Sequence, residues 1–224
     1  MTDFLKEYEQ QFQELGLQLR QNGYVIADQL LPSNLLAGLY SELREKHQSR
    51  ALRSAKIGRQ KNTVQREDIR GDQIQWIEDT GAAQSEWLAW ASALQLFLNR
   101  QLYLGLHSFE SHFAYYAPGA AYQRHLDAFQ GEANRVLSLV LYLNDEWHED
   151  YGGELWLYPS VLEGTDIVDT ASTEPLVRVS PQYGRVVLFM SEEFPHEVRP
   201  ATQDRFSIAG WFRLNISAAN RIDA

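Results

Sequence analysis

The hydrophobic period of this chain changes near its midpoint, and that change restricts the fold more than any other feature. Before about Phe109 the apolar residues recur every three or four positions; beyond it they gather into short β-rich runs. In the first half, Phe4, Tyr8, Phe12, Leu15 and Leu19 predict an amphipathic helix over Asp3–Asn22, ended by Asn22-Gly23. Tyr24-Val25-Ile26 reads as a short strand, and Pro32-Ser33 opens a second helix with Leu35, Leu36, Leu39 and Leu43 on one face. A third helix begins near Ser85, a fitting N-cap, and turns Trp87, Trp90, Ala91, Leu94 and Leu98 inward. Between the second and third helices the polar stretch Arg50 to Glu67 reads as a connection. It leads to Gln73-Ile74-Gln75-Trp76, which alternates as a half-buried strand would.

In the second half, strands are expected at His112–Tyr116, Tyr122–Asp127, Val136–Leu143, Leu155–Tyr158, Val177–Val179, Val186–Met190 and Phe206–Leu214. Turn signals at Pro118-Gly119, Asn144-Asp145, Gly152-Gly153, Pro181 and Gly184 separate them. Many short strands, closely spaced, form a sandwich or barrel. Helices first and strands afterwards give an α+β arrangement in which the helices buttress one face of the β unit. No repeat or linker divides the chain, so the expectation is one domain over residues 1–224.

The sequence contains no cysteine. That removes disulfide scaffolds, zinc ribbons, iron–sulfur clusters and thiol nucleophiles, and leaves His, Asp and Glu as metal donors. Twenty basic against thirty acidic residues give a net charge of −10, which repels a phosphate backbone, so nucleic acid is not the expected partner. The start, Met1-Thr2-Asp3-Phe4-Leu5-Lys6-Glu7, has no basic segment ahead of an apolar one, and no apolar run approaches the ~20 residues that span a bilayer. A soluble, cytoplasmic protein without a membrane partner is expected.

Among the six histidines, His125 carries the strongest signal. In Tyr122-Gln123-Arg124-His125-Leu126-Asp127 it stands two residues before a carboxylate, and on a strand both side chains project to one face. An imidazole and a carboxylate so placed are two of the three donors of a facial triad on non-haem iron(II). Taken alone, the pair is a weak signal that occurs by chance, and it reads first as a strand-end histidine held by an aspartate. A third donor is expected on a later strand, and His196 in Phe194-Pro195-His196-Glu197-Val198 qualifies. Arg205 opens the last apolar strand, where a guanidinium is expensive to bury unless an anion meets it. A dicarboxylate cosubstrate would supply that anion in a bidentate pair; an internal pair with Glu154 is the competing explanation. His47, His107 and His148 read as structural or exposed.

At this point the residues resemble a known family. The stretch from about His112 to Leu214 is similar to the iron(II)- and 2-oxoglutarate-dependent oxygenases of the prolyl 4-hydroxylase branch. Within that branch it is close to the hypoxia-inducible-factor prolyl hydroxylases and their bacterial counterparts. The similarity is carried by Asp68-Ile69-Arg70-Gly71-Asp72, Trp76-Ile77-Glu78, Tyr122-x-Arg124-His125-x-Asp127 and Tyr142-Leu143-Asn144. Gly152-Gly153-x-Leu155, Pro195-His196-Glu197-Val198, Arg205 and Trp211 complete it. It implies a double-stranded β-helix core (jelly-roll, cupin-like) over residues 109–215. Residues 1–108 would then be mainly helical support, with a substrate-loop segment at about 50–80.

The resemblance implies further that His125, Asp127 and His196 bind iron. Arg205 would hold the distal carboxylate of 2-oxoglutarate, with the Tyr142 hydroxyl as second donor and Tyr116, or Tyr115 if the loop alignment slips, near the other end. Tyr122, Arg135, Trp76 and Trp211 would line the pocket for the substrate proline, and Arg70 and Asp72 a loop that closes over a bound peptide. The implied activity is hydroxylation of a prolyl residue with iron(II), 2-oxoglutarate and dioxygen, giving succinate and carbon dioxide, supported by ascorbate. The implied partner is a protein or peptide, with elongation factor Tu as the target among bacterial counterparts. Two departures stand out. Ala209 occupies the position of a threonine in the animal enzymes, and the chain ends soon after Asn215, where those enzymes continue into a helix. Two rivals remain open on the residues alone: an oxygenase of the same fold acting on a small molecule or free amino acid, and a non-enzymatic metal-binding barrel.

Overall fold

The computed structural model describes residues 2–55, 70–128, 134–159 and 174–214. Asp68, Ile69 and most of the polar connection before them lie outside the described residues, as do Asn215 and the side chain of Phe4. Three helices precede or flank the strands: α1 (Thr2–Asn22), α2 (Ser33–Gln48) and α3 (Ala82–Leu102). Tyr8, Phe12, Leu15 and Leu19 of α1 are buried at the expected spacing, and the helix stops where Gly23 takes φ 74° and donates its N–H to the Leu19 carbonyl. Pro32 sits at the N-cap of α2, where its fixed φ suits the helix entry. The start of α3 differs from expectation. The N-cap is Gly81, and Ser85 lies inside the first turn, its hydroxyl bonded to the Gly81 carbonyl and the Asp79 carboxylate. A serine competes for a cap only where its backbone is extended, and here the extended residue is Gly81.

The strands are β1 (Tyr24–Ala27), β2 (Arg53–Ser54), β3 (Asp72–Trp76), β4 (Leu106–Tyr116), β5 (Tyr122–His125) and β6 (Arg135–Tyr142). They continue as β7 (Leu155–Leu157), β8 (Val177–Val179), β9 (Val186–Met190), β10 (His196–Val198) and β11 (Arg205–Leu214). They form a seven-stranded sheet in the order β1-β9-β6-β11-β4-β3-β2 and a four-stranded sheet in the order β5-β10-β7-β8. Every named pairing is antiparallel. The two sheets face one another as the double-stranded β-helix expected, with the helices on the outside of the larger one.

Alternation along the long strands sorts their side chains. Outward, Phe113, Leu137, Leu139, Leu141, Leu188, Ile208 and Phe212 join Phe12, Leu39, Trp87, Trp90 and Leu94 of the helices in one apolar cluster. Inward, Ala114, Tyr116, Tyr142, Val187 and Phe189 meet Leu155, Leu157, Val179 and Val198 of the smaller sheet. The larger sheet is thus buried on both faces, with different chemistry on each. No helix among the described residues is long and apolar enough to cross a membrane.

Candidate active site

Inside the β unit, a cavity of about 130 Å3 is lined by both sheets. The smaller sheet brings His125 at the end of β5 and His196 at the start of β10, paired across the ladder. Asp127 falls beyond β5, which ends two residues earlier than the run Tyr122–Asp127 predicted. Its carboxylate instead reaches the larger sheet, where Ser138 on β6 donates to Oδ2 at 2.7 Å. Ser138 in turn lies 2.8 Å from the Ser191 hydroxyl, a buried relay behind the carboxylate. Nε2 of His125 is 3.7 Å and Nε2 of His196 3.6 Å from the Asp127 oxygens, and the three donor atoms lie within 4.8 Å of one another.

Both imidazoles are oriented by the same local device. Nδ1 of His125 meets the Gln123 carbonyl at 2.8 Å and Nδ1 of His196 the Phe194 carbonyl at 3.0 Å, which turns each Nε2 inward. Burial lowers His125 to about 3, assisted by the neighbouring His196 and opposed by Asp127. Burial alone would raise the Asp127 carboxyl, but His196, His125 and the Ser138 hydroxyl outweigh it and hold it at about 2. A neutral imidazole beside an ionised carboxylate is the protonation state a divalent metal requires of such donors.

Arg205 opens β11 on the facing wall and is 2% exposed. Its Nε donates to the Gly153 carbonyl at 2.8 Å, and Nη1 is 3.4 Å from the Ser207 hydroxyl. No carboxylate pairs with it among the described residues, so the predicted alternative, an internal pair with Glu154, is not formed. The guanidinium lies 5.1 Å from the ring centroids of both Tyr116 and Tyr142. The Tyr142 hydroxyl is buried without a hydrogen-bond partner among the described residues, and burial raises it to about 12 despite Arg205. Burial and Asp72 raise Tyr116 as well, against Arg70 and Arg205. Both phenols therefore stay protonated and available as donors. A buried cation and an orphaned hydroxyl side by side fit an anionic ligand with oxygen acceptors.

The local backbone explains how Arg205 is seated. Gly152 and Gly153 have φ of 69° and 73°, and a Cβ on Gly153 would lie 2.9 Å from the Ala201 Cβ and 3.3 Å from the Arg205 Cδ. The Gly-Gly turn expected before β7 thus lets a carbonyl approach the guanidinium. Strand parity also decides between the two tyrosines. Tyr116 faces the cavity, whereas Tyr115 points to the helices, with its hydroxyl on Asp204 and its ring 4.1 Å from His47.

The other predicted residues gather at the cavity's mouth. Tyr122 stacks on His125, with centroids 3.6 Å apart and planes 18° from parallel, and the Arg70 guanidinium lies 4.9 Å over it. Arg70 forms a bidentate pair with buried Asp72 at 2.6 and 2.9 Å. Burial works against the Arg70 charge, but Asp72 outweighs it and raises its pKa. Arg135 lies 3.7 Å over the Trp211 ring and is held there by Glu110, which also binds Arg213 at 2.7 Å. Trp76 is at the rim rather than in the cavity wall. It is 47% exposed and 6.4 Å from Trp211. His112, Ser138 and Ser207 also line the cavity and were given no role by the sequence.

A profile of the 2OG-Fe(II) oxygenase superfamily matches residues 111–213. A prolyl-4-hydroxylase of Pseudomonas putida, of known crystal structure, is 37% identical, with a TM-score of 0.77, over 90% of this chain and 98% of that one. A prolyl hydroxylase from Trichoplax adhaerens, solved with a hypoxia-inducible-factor oxygen-degradation-domain peptide fragment, is 28% identical with a TM-score of 0.78, over 95% and 93%. The human prolyl hydroxylase EGLN3 is 28% identical over 202 residues, 87% of this chain and 80% of that protein. The chain belongs to the 2OG-Fe(II) oxygenase superfamily and, within it, to the prolyl 4-hydroxylase branch. It is an oxidoreductase whose metal is iron(II) and whose cosubstrate is 2-oxoglutarate.

Proposed function

We propose that this chain hydroxylates C4 of a prolyl residue in a protein or peptide, consuming dioxygen and 2-oxoglutarate and releasing succinate and carbon dioxide. The observation that carries the reading is Arg205, a buried guanidinium without a carboxylate among the described residues, on the sheet that faces the His125, Asp127 and His196 cluster. Nε2 of each histidine and the Asp127 carboxylate would hold the metal. Iron(II) bound there supplies the redox chemistry that couples decarboxylation of the 2-oxo acid to oxygen insertion at a C–H bond.

The protein's own groups bind and orient. Arg205 takes the distal carboxylate of 2-oxoglutarate through charge-assisted hydrogen bonds, with its plane fixed by the Gly153 carbonyl. Tyr142 donates its unpartnered hydroxyl to the same carboxylate. The Tyr116 hydroxyl, whose electrostatic neighbours are Asp72, Arg70, Arg205 and Tyr122, serves the other end. Tyr122, Trp76, Trp211 and Arg135 enclose the proline ring, and the Arg70–Asp72 pair closes the side of the pocket and excludes water. Elongation factor Tu, the target suggested by the resemblance to bacterial counterparts, is the first protein to assay, which would place the reaction in the cytoplasm.

Purified protein with iron(II), ascorbate and 2-oxoglutarate is expected to release succinate only when a prolyl peptide is present. Mass spectrometry of cell proteins treated with it is expected to find one added oxygen atom on proline. Turnover driven by a free amino acid, with no peptide, would transfer the reading to a small-molecule oxygenase.

A further inference from the structure

His112 lies at the middle of β4 on its cavity-facing side, paired across the sheet with Ala209 of β11 and with Trp76 of β3. It is 2% exposed and lines the cavity. The Trp76 ring stands perpendicular to the imidazole with centroids 5.2 Å apart, and the Trp211 ring is 5.5 Å away. Nδ1 lies 3.2 Å from the Phe113 carbonyl, which assigns the ring proton to Nδ1. Nε2 is then a bare lone pair, buried and without a hydrogen-bond partner among the described residues. Burial lowers the imidazole to about 4, with Arg70 and Arg135 adding to the effect and Asp72 and the Phe113 carbonyl opposing it, so the ring stays neutral.

The neighbours leave this acceptor unmatched. Ala209, directly across the ladder, offers only a methyl group. The nearby guanidinium donors are engaged elsewhere, Nε and Nη2 of Arg70 by Asp72 at 2.6 and 2.9 Å and Nε and Nη2 of Arg135 by Glu110 at 3.2 and 2.9 Å. A buried acceptor with no donor is costly, and its place in a binding site points to a donor that arrives with a ligand. Along β11, the Ala209 level lies between Arg205, at the anion end, and Trp211, at the mouth. An occupant of the mouth therefore meets His112 before it reaches the anion end.

We infer that Nε2 of His112 binds the substrate by accepting the backbone N–H of the residue that follows the target proline. The inference rests on the prolyl reading above. A prolyl nitrogen carries no hydrogen, and the carbonyls flanking it are acceptors. The first donor along the chain from the proline ring is thus the next residue's amide. Arg135 and Arg70 on the same walls are donors suited to carbonyls, and His112 supplies the complementary acceptor.

The test uses two minimal probes, N-acetyl-L-proline methylamide, which carries that one N–H, and N-acetyl-L-proline dimethylamide, which has none. Each is titrated under nitrogen into the holoenzyme with iron(II) and 2-oxoglutarate, and binding is followed by tryptophan fluorescence. Wild type is expected to prefer the methylamide by about five- to tenfold, the value of one net hydrogen bond. His112→Leu is expected to bring the ratio to about one while 2-oxoglutarate affinity is kept, and His112→Gln, which retains an acceptor, to restore part of it. A merely structural role would move both affinities together and leave their ratio unchanged. An unchanged ratio in His112→Leu, or no preference in wild type, overturns the inference and leaves the prolyl reading standing. Binding of neither amide removes the prolyl reading and the inference with it.

Discussion

Along the three long strands of the larger sheet, the two faces have opposite properties. On β4, β6 and β11 the outward residues Phe113, Leu139 and Ile208 are buried against helices with no polar atom to satisfy. One position along, the inward residues His112, Tyr142, Ser207 and Arg205 are just as buried but carry hydroxyl, imidazole and guanidinium groups, two of them with an atom unpartnered among the described residues. A step of one residue thus separates apolar groups packed on the helices from polar groups on the cavity side. Cohesion sits on the helix side, and the inner face can tolerate unmet polar atoms because the outer face has already stabilised the sheet.

Substitutions on the two faces should therefore separate stability from function. The largest effect is expected for Arg205→Ala. It should weaken 2-oxoglutarate binding about 100-fold or more, as loss of one partner of a buried charged pair does. Its Tm should not fall, because an uncompensated buried charge has been removed. Calorimetric titration of 2-oxoglutarate and a melting curve check both halves, and a large drop in Tm would break the comparison. On the opposite face, Leu139→Ala should cost about 2–5 kcal/mol of stability, seen as a Tm lower by several degrees, while KM for 2-oxoglutarate is retained.

A smaller effect is expected for Ser138→Ala, which removes the hydrogen bond to Asp127. Metal affinity should fall about 10- to 100-fold, measured by manganese or iron titration, with little change in folding. The smallest belongs to a surface pair outside both faces. Arg185 holds the Asp28 carboxylate at 2.7 and 2.9 Å, and that bond, aided by the Arg185 charge and opposed by burial, lowers the Asp28 pKa from its ordinary 3.8. The stabilisation is therefore present above that pH and lost as acid protonates the folded carboxylate. Because Asp28 is 57% exposed, Asp28→Asn should lower stability by only about 0.5 kcal/mol at neutral pH, with the difference vanishing in acid below the folded pKa.

Much of this arrangement was legible in the sequence, because it depends on local period. Val186–Met190 and Val177–Val179 form strands over the expected residues, and the buried faces of α1, α2 and α3 follow the predicted spacing. His125, Asp127, His196 and Arg205 stand out in the sequence by residue type and spacing, and the structure brings them to one cavity. What stayed hidden depends on pairing between distant strands. Ser138 and Ser191 stand 53 positions apart and have no motif; only the β6–β9 register makes them a relay behind Asp127. His112 looks like any strand histidine until Ala209 and Trp76 are placed beside it. Whether Tyr115 or Tyr116 faces the cavity depends on which side of β4 packs on the helices, a question of parity that a shortened loop obscures. The early end of β5 has the same origin, since Ser138 draws Asp127 away from the strand it would otherwise extend.

Each histidine of the candidate triad is braced by a carbonyl only two positions earlier in its own segment. Such a brace closes over a few bonds and does not need the ion to form. The apoprotein thus presents a ready-made imidazole pair, and loading should proceed without a folding step or a slow rearrangement. The same readiness makes the centre permissive. Cobalt, nickel or zinc would find the donors equally well placed, and the Irving–Williams order favours all three over ferrous ion. Occupancy by the working metal is then decided by supply in the surroundings rather than by discrimination at the protein.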